Sequence, residues 1–405
     1  MSMNFKKQKI KFFSLLLVVC ATVLGSISFA DANVPDIISS EYNMSSSESF
    51  ISFKPKRDSV EAAAYSTNNA TVMAFGIFPV KDVSVVSSNE KSVIVCGYPF
   101  GCVLDTKNIL VVDMTDVRTE NGSVNPAKLA GIKVGDIICS INGKEVNEIN
   151  DLTRMVEKCD GKELTFLCQR NGENFEFKVQ PVYSKTEQKY KIGLWVRDSE
   201  AGVGMLSFYS PEDKVCVGLG HALKDADTGD SFVMSGGTAY NAKVLSIKRG
   251  SSGNPGQIHG CIQSSSRLGE VLENSSKGIY ICADKAEGIN MTVSNKYDVK
   301  TGDAQIYLSL DGNEPRYYDV VIEQVNVDSQ DNKNIVLKVV DSELIAVTGG
   351  IVQGMSGSPI LQNGKLIGAV THVLVDDPTK GYAIFAENML ETAQSLAEEQ
   401  FKQAS

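Results

Sequence analysis

Histidine and tryptophan are scarce in this chain, with three and one in 405 residues. Nine cysteines are present, yet none forms a C-x-x-C pair. A structural zinc site needs a clustered Cys/His ligand set, so that class is set aside. Cys139 and Cys168 sit inside apolar runs, where cysteine behaves as a small hydrophobe, so free buried thiols are expected rather than a disulfide framework. Positive charge is also short: the net charge is −10. Residues 1–30 carry four lysines and no acid, so the remainder stands at −14. Such a surface repels phosphate backbones and argues against nucleic acid as a partner. Beyond the N-terminus no apolar run reaches membrane-spanning length.

What is present begins with a basic stretch, Lys6 to Lys11, followed by an apolar run from Phe12 to Phe29. Residues 1–30 are expected to be a signal peptide or membrane anchor that exports the rest of the chain. Residues 31–91 are rich in Ser, Asn and Ala and are expected to be a flexible spacer with leading strands. From 92 to 182 short strands surround two helical segments. Pro126 opens a short helix that Gly131 closes, and Asn150 is placed to cap a second. Asn142-Gly143 and Asn171-Gly172 are tight hairpin turns. From 183 to 405 strand-like runs alternate with Gly, Asn, Asp and Ser, and only Asn388 to Phe401 has helical spacing. The expected fold is mainly β, the last domain being long enough for two small barrels closed by a C-terminal helix.

The sharpest chemical signal is Gly354-Met355-Ser356-Gly357-Ser358-Pro359. A serine nucleophile needs an exposed hydroxyl on a tight turn whose N–H groups converge on the developing oxyanion, and flanking glycines permit that approach. Ser356 is the candidate, with Ser358 the runner-up. A free serine hydroxyl is a poor nucleophile and needs a base in reach. His221, at a strand end in Gly218-Leu219-Gly220-His221, is preferred over His259 in a polar turn and His372 in a strand. Asp341, closing the apolar run Ile335 to Val340, is the preferred acid. Asp225, Asp227 and Asp230 read first as a polar turn. No cofactor is required by such a mechanism.

The run PAKLAGIKVGDIICSINGKEV resembles a PDZ domain over about 90 residues. A PDZ domain takes an extended peptide beside a sheet edge. The resemblance implies a loop Tyr98-Pro99-Phe100-Gly101 and a docking strand Cys102-Val103-Leu104. Tyr98-Pro99 departs from the usual Gly-Leu-Gly-Phe, which leaves internal segments open as ligands. The nucleophile hexapeptide resembles the active-site turn of chymotrypsin-type peptidases, which implies an oxyanion hole from the N–H groups of Gly354 and Ser356. KYKIGLWVRDSEAGVGM, GLGHALKDADTG, GSSGNPG, TGGIVQGMSGSPI and GAVTHVLVDDPTKGYAI, in that order after a PDZ domain, resemble the SpoIVB peptidase family. That resemblance implies the triad His221, Asp341 and Ser356 in a chymotrypsin-like double barrel. It further implies an exported sporulation-signalling endopeptidase acting between the forespore and mother-cell membranes. Its substrates would be itself and a few membrane-associated regulatory proteins, leading to late sigma-factor activation. Two other functions remain: a non-catalytic PDZ adaptor with an inactive barrel, and a general quality-control protease of the HtrA type. The latter has the opposite domain order.

Overall fold

The computed structural model describes residues 2–39, 50–55, 68–86, 91–225, 229 and 234–404. They fall into two units, residues 1–91 with 293–300, and residues 92–292 with 301–405.

The first unit holds helix α1 (Ser2–Asn33) and strands β1 (Ile37–Ser39), β2 (Ile51–Pro55), β3 (Asn68–Ala74) and β4 (Phe78–Val86). The sheet order is β1-β4-β3-β2, with β1 parallel to β4. Ala30, Val34, Ile38, Ile51, Val72 and Val83 form its core. Over the described residues 31–39, 50–55 and 68–86, the stretch expected as a flexible spacer with leading strands holds this sheet. Short apolar-polar alternations such as Ile51-Ser52-Phe53 are too brief to stand out in a Ser- and Asn-rich stretch, yet they pair into a sheet. Among the described residues no helix is long and apolar enough to cross a membrane.

The second unit opens with β5 (Ser92–Val95) and β6 (Pro99–Met114). An inserted module follows: β7 (Val117–Thr119), β8 (Gly122–Val124), α2 (Pro126–Ala130), β9 (Ile137–Ile141), β10 (Lys144–Glu145) and α3 (Ile149–Glu157). It ends with β11 (Leu164–Arg170), β12 (Glu173–Val179), β13 (Val182–Ser184) and β14 (Lys189–Lys191). Asn125 caps α2 by accepting from the Lys128 N–H, and Gly131 closes it at φ 100°, as the sequence predicts. The cap of α3 is Glu148 rather than Asn150. Asn142-Gly143 and Asn171-Gly172 both have paired positive φ, the turn geometry that matches strand twist. Buried Asp136 is gripped by Arg170 through two hydrogen bonds of 2.6 Å, which locks the turn before β9 to β11.

The chain then returns along β15 (Leu194–Ser210), followed by β16 (Val215–Gly218), β17 (Met234–Lys248), β18 (Gln257–Ser275), β19 (Gly278–Cys282) and β20 (Ile289–Val293). The ladder β6-β17-β18-β19-β16-β15 closes back on β6, making a six-stranded antiparallel barrel. A second circuit uses β21 (Gly302–Leu308), β22 (Arg316–Val325), β23 (Ile335–Val339), β24 (Pro359–Gln362), β25 (Lys365–Leu374) and β26 (Asp377–Phe385). Its ladder β21-β22-β23-β26-β25-β24 closes on β21. Helix α4 (Ser342–Thr348) lies between β23 and β24, and α5 (Ala386–Ala404) ends the chain. The double barrel with a C-terminal helix is the expected fold; the short helix α4 is an addition to it.

The domain boundary differs from expectation. Residues 99–105 of β6 pair with 199–205 of β15 and with β17 in the first barrel. Beyond a register break, Leu110 to Met114 pair with Leu194 to Arg197 in the module. The PDZ-like module is therefore inserted between two barrel strands that run on into it. It does not precede the peptidase part as a separate segment 92–182.

Candidate active site

The nucleophile loop hangs between α4 and β24, and the first barrel holds it at many points. Gln353 N–H donates to the Gly256 carbonyl (2.9 Å), and Ile258 N–H donates to the Gln353 carbonyl (2.8 Å). Met205 N–H donates to the Ser356 carbonyl (2.8 Å), and Ser207 Oγ donates to the Gly357 carbonyl (2.7 Å). Gly357 sits at φ 91°, and a Cβ there would stand 2.0 Å from the Met205 carbonyl oxygen. Only glycine fits that crossing of two backbones.

Within the loop the N–H groups of Gln353, Met355, Gly357 and Ser358 all find backbone carbonyls. Those of Gly354 and Ser356 have no acceptor among the described residues. These are the two donors expected to form the oxyanion hole. Ser358 is fully buried and its hydroxyl donates to the Met355 carbonyl at 2.6 Å, which removes it as a nucleophile. Ser356 is half-buried, and its hydroxyl donates to the Thr371 carbonyl of β25 at 2.8 Å.

His221 follows a turn at the end of β16, where Leu219 (φ 64°) and Gly220 (φ 68°) are both left-handed. Leu219 pays a steric penalty there, of about 1–3 kcal/mol, offset by burying its side chain in the first barrel's core. His221 Nδ1 lies 2.8 Å from the Ala222 carbonyl oxygen. A carbonyl can only accept, so this contact assigns the proton to Nδ1 and leaves Nε2 free as a base. Burial lowers the His221 pKa below the usual imidazole value, the Ala222 bond opposes this, and Lys224 adds to the lowering. Asn274 holds the next residues by accepting from the Leu223 N–H and donating to its carbonyl.

His372, one residue after the acceptor of the Ser356 hydroxyl, packs its ring on that of His221 with centroids 4.9 Å apart. Although its outer side is exposed, its pKa is pushed down to about 4, first by burial and then by His221, Lys333 and Lys224. The sequence places His372 in a strand; the structure sets its ring against that of His221. His259 lies on exposed β18 and lines, with Gln257, Gln353 and Gly354, a groove of about 430 Å³ beside the nucleophile loop.

Of two expected site assignments, the structure leaves the first without a bond to the base and overturns the second. Asp341 is the N-cap of α4: Oδ1 accepts from the Leu344 N–H at 2.8 Å, and Oδ2 faces the Asp319 N–H at 3.4 Å. It makes no hydrogen bond to His221. In sequence, an acid ending an apolar run looks the same whether it caps a helix or orients a histidine. The second assignment concerns Tyr98, Pro99, Phe100, Gly101, Cys102, Val103 and Leu104. From Pro99 to Leu104 these belong to the barrel part of β6, and Phe100, Cys102 and Leu104 fill the barrel core. Gly101 pairs with Val203 on one side and Tyr240 on the other. With both edges hydrogen-bonded, this strand has none left for a peptide. Tyr98 precedes it, its phenol facing Glu314 at 3.4 Å. Asp227 and Asp230 lie outside the described residues, while Asp225 is buried and ion-paired with Arg197.

Residues 125–170 match the PDZ domain, and residues 188–390 match the SpoIVB peptidase S55 family. The probable protease eep of Enterococcus faecalis is 35% identical over 88 residues, covering 20% of this chain and 21% of that protein. A probable periplasmic serine endoprotease DegP-like of Bartonella henselae is 27% identical over 143 residues, covering 31% and 26%. The chain thus spans between about an eighth and a quarter of the length of the curated relatives it matches. Among solved structures, the HtrA-type protease AlgW with tripeptide aligns at TM-score 0.31 and 15% identity, covering 50% of this chain and 57% of that one. The Rv3671c protease from M. tuberculosis, active form, aligns at TM-score 0.27 and 14% identity, covering 47% and 72%. With a family match over half its length and a PDZ match, the chain belongs to the SpoIVB peptidase S55 family.

Proposed function

We propose that this chain is a serine endopeptidase with Ser356 as nucleophile and His221 as general base. The observation that carries this reading is the pair of N–H groups, Gly354 and Ser356, without a backbone acceptor around a hydroxyl that bonds to the Thr371 carbonyl, next in chain to His372, whose ring packs on His221. In the reaction the Ser356 hydroxyl leaves the Thr371 carbonyl and donates its proton to His221 Nε2 as Oγ attacks the substrate carbonyl. The oxyanion gathers at the two N–H groups, and the imidazolium returns the proton to the leaving amine. Water then repeats the sequence on the acyl-enzyme. The Ala222 carbonyl performs the tautomer-fixing task that a carboxylate performs in a full triad.

Family membership and the basic-apolar N-terminal segment support a reading of the biological setting. In this reading the chain is exported into the space between forespore and mother-cell membranes, initially membrane-associated. There it cuts itself and a few regulatory proteins, triggering late sigma-factor activation. The inserted PDZ module selects or presents the cleaved chain. A second reading, a non-catalytic adaptor, is favoured by the resting bond from Ser356 to Thr371 and by the lack of a carboxylate bonded to His221 among the described residues. Intact-mass analysis of the purified full chain separates the two. Trimming of wild type with Ser356→Ala left whole supports the peptidase. Both left whole, together with a candidate regulatory protein, supports the adaptor.

A further inference from the structure

Strand β15 belongs to both the inserted module and the first barrel, and its register breaks between Arg197 and Ser199, where it passes from one to the other. At that passage the Arg197 guanidinium lies 2.5 Å from Asp225 Oδ2 and 2.5 Å from Glu200 Oε1. Both carboxylates are almost fully buried, at 7% and 4% side-chain exposure, so the cation between them is what keeps two close anions tolerable in the interior. Asp225 stands four residues after His221, on the loop that fixes the imidazole. The same strand touches that loop again at Gly202, where an added Cβ would stand 2.5 Å from Leu223 Cδ1. The loop is thus fastened on its β18 side by Asn274 and on its β15 side by Arg197 and Leu223.

We infer that Arg197 is a positioning residue for the general base, tying the His221 loop through Asp225 to the strand shared by barrel and module. Both carboxylates meet one guanidinium nitrogen, Nη2, which hydrogen-bonds to Asp225; a lysine ammonium, a point charge on a flexible stem, does not reproduce that planar placement. Release of Asp225 frees the loop to shift, and a displacement of about 1 Å at a reacting group costs up to about 100-fold in rate. Asp225→Asn is the informative variant, because it loosens the tie while leaving the Arg197–Glu200 pair in place and no unpaired anion behind.

This inference rests on the peptidase reading above, and the test separates the two. The full chain is prepared as wild type, Asp225→Asn, Arg197→Lys and Ser356→Ala, and treated with a small fluorophosphonate. This probe phosphonylates an activated serine without occupying peptide subsites. Thermal melts are taken in parallel. The expected result is a maximal phosphonylation rate lowered between about 10- and 100-fold in Asp225→Asn and in Arg197→Lys. The concentration for half-maximal rate and the Tm of Asp225→Asn should stay near wild type, since a purely structural role would move Tm instead. An Asp225→Asn rate within about twofold of wild type overturns the inference, whether or not Arg197→Lys folds, and leaves the peptidase reading intact. Failure of wild type to label at Ser356 overturns both.

Discussion

Asp341 gives the sharpest division between two accounts of this site. As the N-cap of α4 its carboxylate accepts from the Leu344 N–H at 2.8 Å, and nothing links it to His221. Replacing a capping acid by alanine costs about 1 kcal/mol, within a range of about 0.5–2, and asparagine caps about as well as aspartate. For a unit of this size about 1 kcal/mol lowers Tm by roughly 2–4 °C. Asp341→Ala should therefore melt a few degrees lower and Asp341→Asn near wild type. Both should react with a fluorophosphonate, per folded molecule, at close to the wild-type rate. If Asp341 oriented His221 as a triad acid, the asparagine variant would favour the wrong tautomer and lose about 10⁴ in rate with its Tm unchanged. Stopped-flow or quenched labelling beside a melt reads both quantities in one preparation. A large rate loss in Asp341→Asn would refute the dyad geometry described above.

Four further outcomes are expected. Because burial lowers the His221 pKa, the base stays neutral below pH 6.5, and activity should fall only as pH drops through a value under that of a free imidazole; a pH–rate profile with its acid limb above 6.5 would contradict this. The same sign applies to stability: a histidine depressed in the fold contributes above the unfolded value of about 6.5 and loses that contribution on acidification. His221 and His372 should thus make melts more acid-sensitive than those of His372→Phe. Gly357→Ala, with its Cβ 2.0 Å from the Met205 carbonyl, should abolish labelling at Ser356 and cost at least about 1–3 kcal/mol by denaturant titration. Arg170→Met strips buried Asp136 of its bidentate partner and should destabilise the inserted module by about 3–5 kcal/mol, read by hydrogen exchange across Ile137 to Arg170; exchange unchanged from wild type would refute the pairing's importance.

What the sequence made legible is local. Gly354 to Pro359 announces its turn because the flanking glycines and the serine all lie within six residues, and Pro126 and Gly131 bracket a helix in the same way. His221 is singled out by scarcity, there being only two other histidines. What stayed hidden is non-local. That β6 is a barrel strand follows from its pairing with β15, about a hundred residues later, and with β17 beyond that, and no periodicity within residues 92–182 encodes those partners. Val103 and Leu104 read equally well as a PDZ docking strand until both edges are seen to be filled. Asp341 caps α4, and capping and catalytic aspartates share the same local pattern in sequence. The Ala222 carbonyl that fixes the imidazole has no side-chain signature at all. Arg197 and Asp225 are 28 residues apart and meet only because β15 and the His221 loop fold together.

The most direct test of the central claim is to map the site of fluorophosphonate attachment by peptide mass in wild type and in His221→Gln. The account predicts one adduct, on the peptide containing Ser356, that is lost or slowed by orders of magnitude when His221 is replaced. An adduct on another residue, or one on Ser356 that forms equally fast without His221, would contradict it.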